Sequence, residues 1–284
     1  MPADAPVLIT GCSTGIGRAT AAHLRAAGHA VYATARNPET LADLEAKGCV
    51  TLALDVTDEA SMKAAVDRIE EEAGGIGALV NNAGYSQSGA IETVAMEAVR
   101  RQFETNVFGL IRMTQLVLPG MRSRGGGRVV NISSMGANFT FPGGGVYHAT
   151  KYAVEAISDA LRFEVAGFGI DVVVIQPGAI RTEFDKAAVA SLDDAGSADD
   201  VYADFNHHVG RATTDAYEKG PMKLLGGEPD AVAKVIEKAI TAKRPRTRYR
   251  VTPSATLLIN QSHLMPDRVW DRFVATQFPR PGRS

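Results

Sequence analysis

Over the first two thirds of the chain, short apolar runs alternate with stretches whose apolar residues recur every three to four positions. Residues 7–9, Val-Leu-Ile, read as a buried strand, followed by a helix over 16–27 that Gly28 stops. A second strand over 30–35 leads into a helix over 39–47, with Pro38 at its start and Gly48 at its end. Residues 50–54 form a third strand, and a helix over 59–73 opens at an Asp58 cap and closes at Gly74-Gly75. Further strands are predicted at 79–80, 128–132 and 170–175, each beside a long helical pattern. This βαβα alternation implies an α/β fold, a doubly wound parallel sheet flanked by helices on both faces.

No internal repeat and no Pro-, Gly- or Ser-rich linker interrupts the pattern, so residues 1–284 read as one domain. Two regions depart from it. Residues 185–227 are polar and weakly periodic and carry two acidic pairs, Asp193-Asp194 and Asp199-Asp200. That is too long for an ordinary connector and implies a lid with some helix of its own. Residues 243–284 form an extension beyond the last core helix, expected over 230–242.

Composition narrows the function class. With 45% hydrophobic and 22% charged residues the chain is that of an ordinary globular protein. A net charge of −2 gives no global field toward nucleic acid or anionic membrane. Cys12 and Cys49 suit a reducing compartment. Residues 1–6 have neither a basic nor a long apolar segment, and no apolar run approaches spanning length, so a cytoplasmic protein without a membrane span is expected. The run Lys243-Arg244-Pro245-Arg246-Thr247-Arg248-Tyr249-Arg250 reads as a solvated surface loop.

Thr10-Gly11-Cys12-Ser13-Thr14-Gly15-Ile16-Gly17 lies between the first strand and the first helix. Glycines there admit a ligand close to the backbone, and the helix N-terminus offers free N–H groups to a pyrophosphate. The spacing is G-x-x-x-G-x-G rather than G-x-G-x-x-G. At the end of the second strand a carboxylate would favour NAD by bonding the ribose 2′-hydroxyl. Here stand Ala35-Arg36-Asn37, with the nearest acid, Glu39, already in the next helix. Arg36 can pair with a 2′-phosphate, which favours NADP(H) over NAD(H).

Tyr147 and Lys151 are four residues apart on a helical pattern, so phenol and ammonium share a face. A nearby cation is expected to lower the phenol's pKa toward useful acid–base range. Asn106 interrupts the apolar stripe of Phe103, Val107, Leu110 and Val117. Cys12, Cys49 and His207-His208 have no zinc-ligand spacing, and no metal is expected.

Together the Thr10–Gly17 turn, Asn81-Asn82-Ala83-Gly84, Asn106, Ser134, Tyr147-x-x-x-Lys151 and Pro177-Gly178-x-x-x-Thr182 resemble the classical short-chain dehydrogenase/reductase family, over roughly residues 6–185. The resemblance implies a Rossmann-type fold and these roles. Tyr147 would be the general acid or base and Lys151 would lower its pKa and hold the nicotinamide ribose. Ser134 would bond the carbonyl oxygen, and Asn106 would anchor a water linking Lys151 to solvent. Gly11, Ser13, Thr14, Gly15, Ile16, Gly17 and Arg36 would hold the phosphates. Asp55-Val56 and Asn82-Ala83-Gly84 would line the adenine and nicotinamide ends, and Pro177, Gly178, Ile180 and Thr182 would lie near the carboxamide.

Residues that could border the substrate, among them Met135, Phe139, Phe141 and Phe184, are more apolar than polar. The Thr34-Ala35-Arg36-Asn37 segment and the extension resemble the 17β-hydroxysteroid and retinol dehydrogenase-like branch. The expectation is an NADP(H)-dependent oxidoreductase acting on a small-molecule carbonyl or alcohol, hydrophobic in character, as a homodimer or homotetramer. Two alternatives stay open: an NAD-dependent enzyme of the same family, and a non-catalytic cofactor-binding regulator.

Overall fold

The computed structural model describes residues 5–194 and 201–282. Seven parallel strands form one sheet: β1 (Val7–Ile9), β2 (Val31–Ala35), β3 (Val50–Ala53), β4 (Ala78–Asn81), β5 (Gly127–Ile132), β6 (Ile170–Pro177) and β7 (Arg248–Val251). Their order is β3-β2-β1-β4-β5-β6-β7, with registers such as Leu8 opposite Tyr32 and Leu79. The helices are α1 (Gly15–Ala26), α2 (Ala42–Ala46), α3 (Glu59–Ala73), α4 (Met96–Phe103), α5 (Gly109–Ser123) and α6 (Gly145–Val165). After β6 come α7 (Phe184–Ala190), α8 (Ala203–Glu218), α9 (Gly220–Leu225), α10 (Pro229–Thr241), α11 (Pro253–Leu264) and α12 (Asp267–Ala275).

Period-two alternation splits the core into two layers. Val7 and Ile9 of β1 join Val80, Val130 and Val173 against Leu24 of α1, Leu44 of α2 and Ile236 of α10. Leu8 joins Leu52, Leu79, Val129 and Val172 against Ile69 of α3 and Met113 and Val117 of α5. Strand order reverses between β1 and β4, and a crevice at the carboxyl ends of strands flanking such a switch point is where open α/β sheets bind ligands. Asp58 caps α3 by accepting from the N–H groups of Ala60 and Ser61, and Gly74 ends it in the left-handed region at φ +70°.

Two expectations changed, the single helix over 39–47 and the basic run read as a surface loop, while the helix expected within 185–227 is present. The helix over 39–47 is broken into a 3₁₀ turn over Pro38–Leu41 and the short α2. Much of the 185–227 region is helical, in α7, α8 and α9; the Asp199-Asp200 pair lies outside the described residues. The extension is not peripheral, because β7 pairs with β6 from Val174–Arg248 to Pro177–Val251. Arg248 and Arg250 alternate with Tyr249 and Val251, an edge-strand pattern that a basic run disguises. Beyond β7, Thr252 holds φ +90°, a costly value for a β-branched residue, and its hydroxyl accepts from Ala255 N to cap α11. No helix among the described residues is long and apolar enough to cross a membrane.

Candidate active site

The glycine turn is held from across the switch point. Asn82, just past β4, donates through Nδ2 to the carbonyls of Thr10 and Gly11, both at 2.9 Å. Thr10 Oγ1 in turn accepts from the N–H groups of Asn82 and Ala83 at 3.0 Å. This crossing demands bare backbone. A Cβ on Gly17 would fall 2.3 Å from the Gly11 carbonyl and 2.4 Å from Asn82 Nδ2, and one on Gly11 2.8 Å from Ala83 Cα. Gly15 faces Thr182, whose Cβ would stand 3.3 Å from an added methyl.

Thr14 is the N-cap of α1 and makes no side-chain capping bond, so the first-turn N–H groups keep their partial positive charge for an anion. Ile16 packs inward on the core. Arg18 pins the turn, donating to the Ser13 carbonyl at 2.7 Å and pairing with Asp43. The cradle fits a pyrophosphate on an observed feature of the chain: the glycine positions are ones a side chain could not enter.

Arg36 is exposed just beyond β2. Burial pushes the Tyr85 phenol up, while the charges of Arg101 and, more weakly, Arg36 pull it down. Arg101 was not expected there; it lies on α4, and its proximity to Arg36 arises only in three dimensions. Asp55 turns its carboxylate into its own loop, accepting from Thr57 N at 2.9 Å and Thr57 Oγ1 at 2.8 Å. Val56 is buried beside Gly109, where a Cβ would meet the Val56 carbonyl at 2.5 Å.

Ser134, after β5, caps the turn Met135–Ala137 and accepts from Gly136 N at 3.0 Å. It lies close enough to Tyr147, in the first turns of α6, to favour ionisation of that phenol. Tyr147 is half-buried, and burial pushes its phenol up to about 12, Ser134 working against it. Lys151 is 7% exposed, donates from Nζ to the Ile132 carbonyl at 2.8 Å, and stands 5.8 Å from the Tyr147 ring centre. Burial brings its ammonium down to about 8, with Glu155 opposing. Lys151 thus carries its ammonium beside the Tyr147 ring while the Ile132 carbonyl holds it in place.

Asn106 does not continue a regular helix. Between α4 and α5, residues Glu104–Phe108 form a π-turn, the kind of inserted residue that accumulates at functional sites. The buried amide accepts from Tyr85 N at 3.1 Å and donates to the Tyr85 carbonyl at 2.9 Å and to Thr150 Oγ1 at 3.1 Å. Gly84 leaves the space between the two polar groups open: a Cβ there would lie 3.1 Å from Asn106 Oδ1 and 3.8 Å from Lys151 Nζ. Asn81 has a different task, donating to Thr114 Oγ1 and Asn131 Oδ1 and so joining β4, α5 and β5.

Farther along the crevice, Gly178 donates to the Val251 carbonyl at 3.0 Å and packs against the Thr252 hydroxyl. Pro177 ends β6, and Ile180 is buried and bridges to Gly227. Thr182 accepts from Phe184 N at 3.1 Å, and the Phe184 ring meets Tyr147 edge-on at 5.3 Å.

His148 was missed. It is buried beside Tyr147, with Nδ1 2.7 Å from the Gly136 carbonyl and Nε2 accepting from Phe141 N at 3.3 Å. Those partners require the neutral Nδ1–H tautomer, and burial lowers the pKa accordingly. Nothing in the spacing of the chain marks it, because its partners are backbone groups of the preceding loop. Among the described residues no group of three or more His, Cys, Asp or Glu side chains is placed to hold a metal ion.

Residues 5–193 match the family profile of short chain dehydrogenase. The chain is 37% identical over 266 residues to a 3-ketodihydrosphingosine reductase of Bacteroides thetaiotaomicron, covering 93% of this chain and 94% of that protein. It is 35% identical over 276 residues to an NADPH-dependent 3-dehydrocapnine reductase of Ornithobacterium rhinotracheale, covering 93% and 94%. The solved structure of a short-chain dehydrogenase from Streptomyces avermitilis superposes with a TM-score of 0.78 at 35% identity, over 95% of each chain. With the glycine cradle at the switch point and Ser134, Tyr147, Lys151 and Asn106 gathered in one crevice, the chain belongs to the classical short-chain dehydrogenase family of nicotinamide-dependent oxidoreductases.

Proposed function

We propose that this chain reduces a hydrophobic ketone, or oxidises the matching secondary alcohol, with NADP(H). The observation that carries this reading is the meeting of three side chains: Lys151 Nζ stands 5.8 Å from the Tyr147 ring one helical turn on, and Ser134 lies near enough to the phenol to favour its ionisation. A bound nicotinamide would supply the hydride. The two hydroxyls would donate to the substrate oxygen where negative charge develops, and Tyr147 would release its proton from the phenolic oxygen as that charge forms. Gly11, Ser13, Thr14, Gly15, Ile16 and Gly17 would hold the pyrophosphate, Asn82, Ala83, Gly84, Pro177, Gly178, Ile180 and Thr182 the nicotinamide side, and Lys151 the ribose. Asp55 and Val56 would border the adenine. In the relay to solvent, Asn106 would fix Tyr85 and the helix beside it and would keep one lone pair of Oδ1 for a water toward Lys151.

NADP rather than NAD is supported by Arg36 and Arg101 beside Tyr85, by the lack of an acid at the end of β2, and by the NADPH-dependent relative. A hydrophobic substrate is supported by the row of rings leading from Tyr147 through His148 at 5.7 Å and Phe141 at 6.5 Å to Trp270 at 6.1 Å. A groove of about 290 Å³ lies along Thr140, Phe141, Trp270 and Val274. Two relatives are named as reductases of 3-keto and 3-dehydro compounds, in line with reduction of a carbonyl. Phe108 and Tyr152, 51% and 44% exposed at the end of the π-turn and on α6, favour pairing of two copies through α5 and α6. The test is a screen of long-chain and cyclic ketones with NADPH and NADH, read at the nicotinamide absorbance. Turnover confined to small polar carbonyls, or preferring NADH, would overturn the respective part.

A further inference from the structure

Lys151, Val154, Glu155 and Ser158 share the buried face of α6. Glu155 is 9% exposed, and both its oxygens are engaged. Oε1 accepts from Gln176 Nε2 of β6 at 2.9 Å, and Oε2 accepts from Arg248 Nε of β7 at 2.8 Å. Arg248 also reaches both oxygens of Asp159 through Nη2 at 2.7 Å, and Asp159 meets Arg162 at 2.8 Å. The contact with Asp159 would tie β7 to α6 by itself. A second carboxylate, buried one turn from Lys151, costs desolvation that the tie does not require.

What it faces explains the placement. The Lys151 ammonium is buried and donates to an uncharged carbonyl, that of Ile132. Around it stand uncharged groups from the other elements: Asn106 of the π-turn, Gly84 of the β4 loop and Tyr147 of α6 itself. Gln176 of β6 is neutral as well, and Glu155 is the charged group that favours the ammonium against burial. Beyond Glu155 come Arg248, Asp159 and Arg162 in sequence.

We propose that Glu155 is a positioning residue for the Tyr147–Lys151 pair, its buried carboxylate holding the Lys151 ammonium in its charged form while Arg248 of β7 tempers that carboxylate. The inference rests on the reading above that Lys151 stands beside Tyr147 in the active site and holds the nicotinamide ribose. It also gives the C-terminal segment a stake in the active site, since β7 is the strand that brings Arg248 to α6.

The test uses two variants with opposite expectations. Glu155→Gln keeps a group able to bond Gln176 and removes the charge. The alkaline limb of its kcat profile is expected to move to lower pH by about one unit. Arg248→Met leaves Glu155 less compensated, and its limb is expected to move to higher pH. In protein labelled with ¹³C at lysine Cε and assigned with Lys151→Arg, the Lys151 titration without cofactor should move in the same two directions. Profiles and titrations that match the wild type, or that move together in one direction, would overturn the proposal. If Glu155→Gln does not fold, as read by circular dichroism, the direction seen in Arg248→Met decides alone. Wild-type protein that turns over no carbonyl would defeat the functional reading, while the lysine titration would still judge Glu155.

Discussion

The side-chain amide of Asn106 donates to the Thr150 hydroxyl at 3.1 Å, and that hydroxyl donates onward to the Tyr147 carbonyl at 2.7 Å. The π-turn is thereby bonded to the helix that carries Tyr147 and Lys151. Asn106→Ala would leave the Tyr85 N–H without its partner and the Thr150 hydroxyl without its donor, while the Tyr85 carbonyl keeps Gln102 Nε2, at a cost of about 1–3 kcal/mol. Urea denaturation should show that loss, and kcat should fall more than KM rises. A variant of wild-type stability would contradict the role assigned to this amide.

Gly17→Ala should damage the cradle directly. Its methyl would strike the Gly11 carbonyl and the Asn82 amide, which are fixed from two sides. Cofactor affinity measured by fluorescence titration should fall by at least about tenfold, roughly 1.4 kcal/mol. Affinity equal to wild type would show that the turn can relax.

Arg36→Asp should weaken NADPH and spare or improve NADH, because a carboxylate beyond β2 repels a 2′-phosphate and can bond a 2′-hydroxyl. The ratio of kcat/KM for the two cofactors is the measurement. An unchanged ratio would leave the 2′-phosphate to other groups, of which Arg101 is the nearest candidate.

Parts of this site were legible in the linear chain, others only in space. The cradle could be read because its chemistry is local: a strand, glycines and a helix start occur within eleven residues. Tyr147 and Lys151 could be read because a helix has a fixed period. The π-turn at Asn106 could not, since one inserted residue leaves the apolar stripe intact. Nor could β7, whose arginines obscure an edge strand, or the pairing of Arg248 with Glu155 across 93 positions. The Ile132 carbonyl that holds the Lys151 ammonium could not be read either, because spacing says nothing of a backbone group 19 positions away.

His148 makes a stability prediction with a definite sign. Its folded pKa is lowered from the ordinary 6.5, so the folded protein keeps the ring neutral while the unfolded chain takes up a proton. The unfolded state binds more protons below that value, and stability is expected to decline as pH falls through about 6.5. Thermal melts between pH 7.5 and pH 5.5, the range of roughly one unit either side of that pKa, should show the decline in wild type. In His148→Gln it should be reduced, and an equal slope in both would assign the effect elsewhere.

Tyr147→Phe removes one oxygen and keeps the ring contacts to Phe184 and His148. With any ketone that the wild type reduces, NADPH oxidation by this variant should drop by about 10²–10⁴-fold while NADPH binding by fluorescence stays unchanged. Turnover at the wild-type rate would contradict the claim that the Tyr147 hydroxyl delivers the proton.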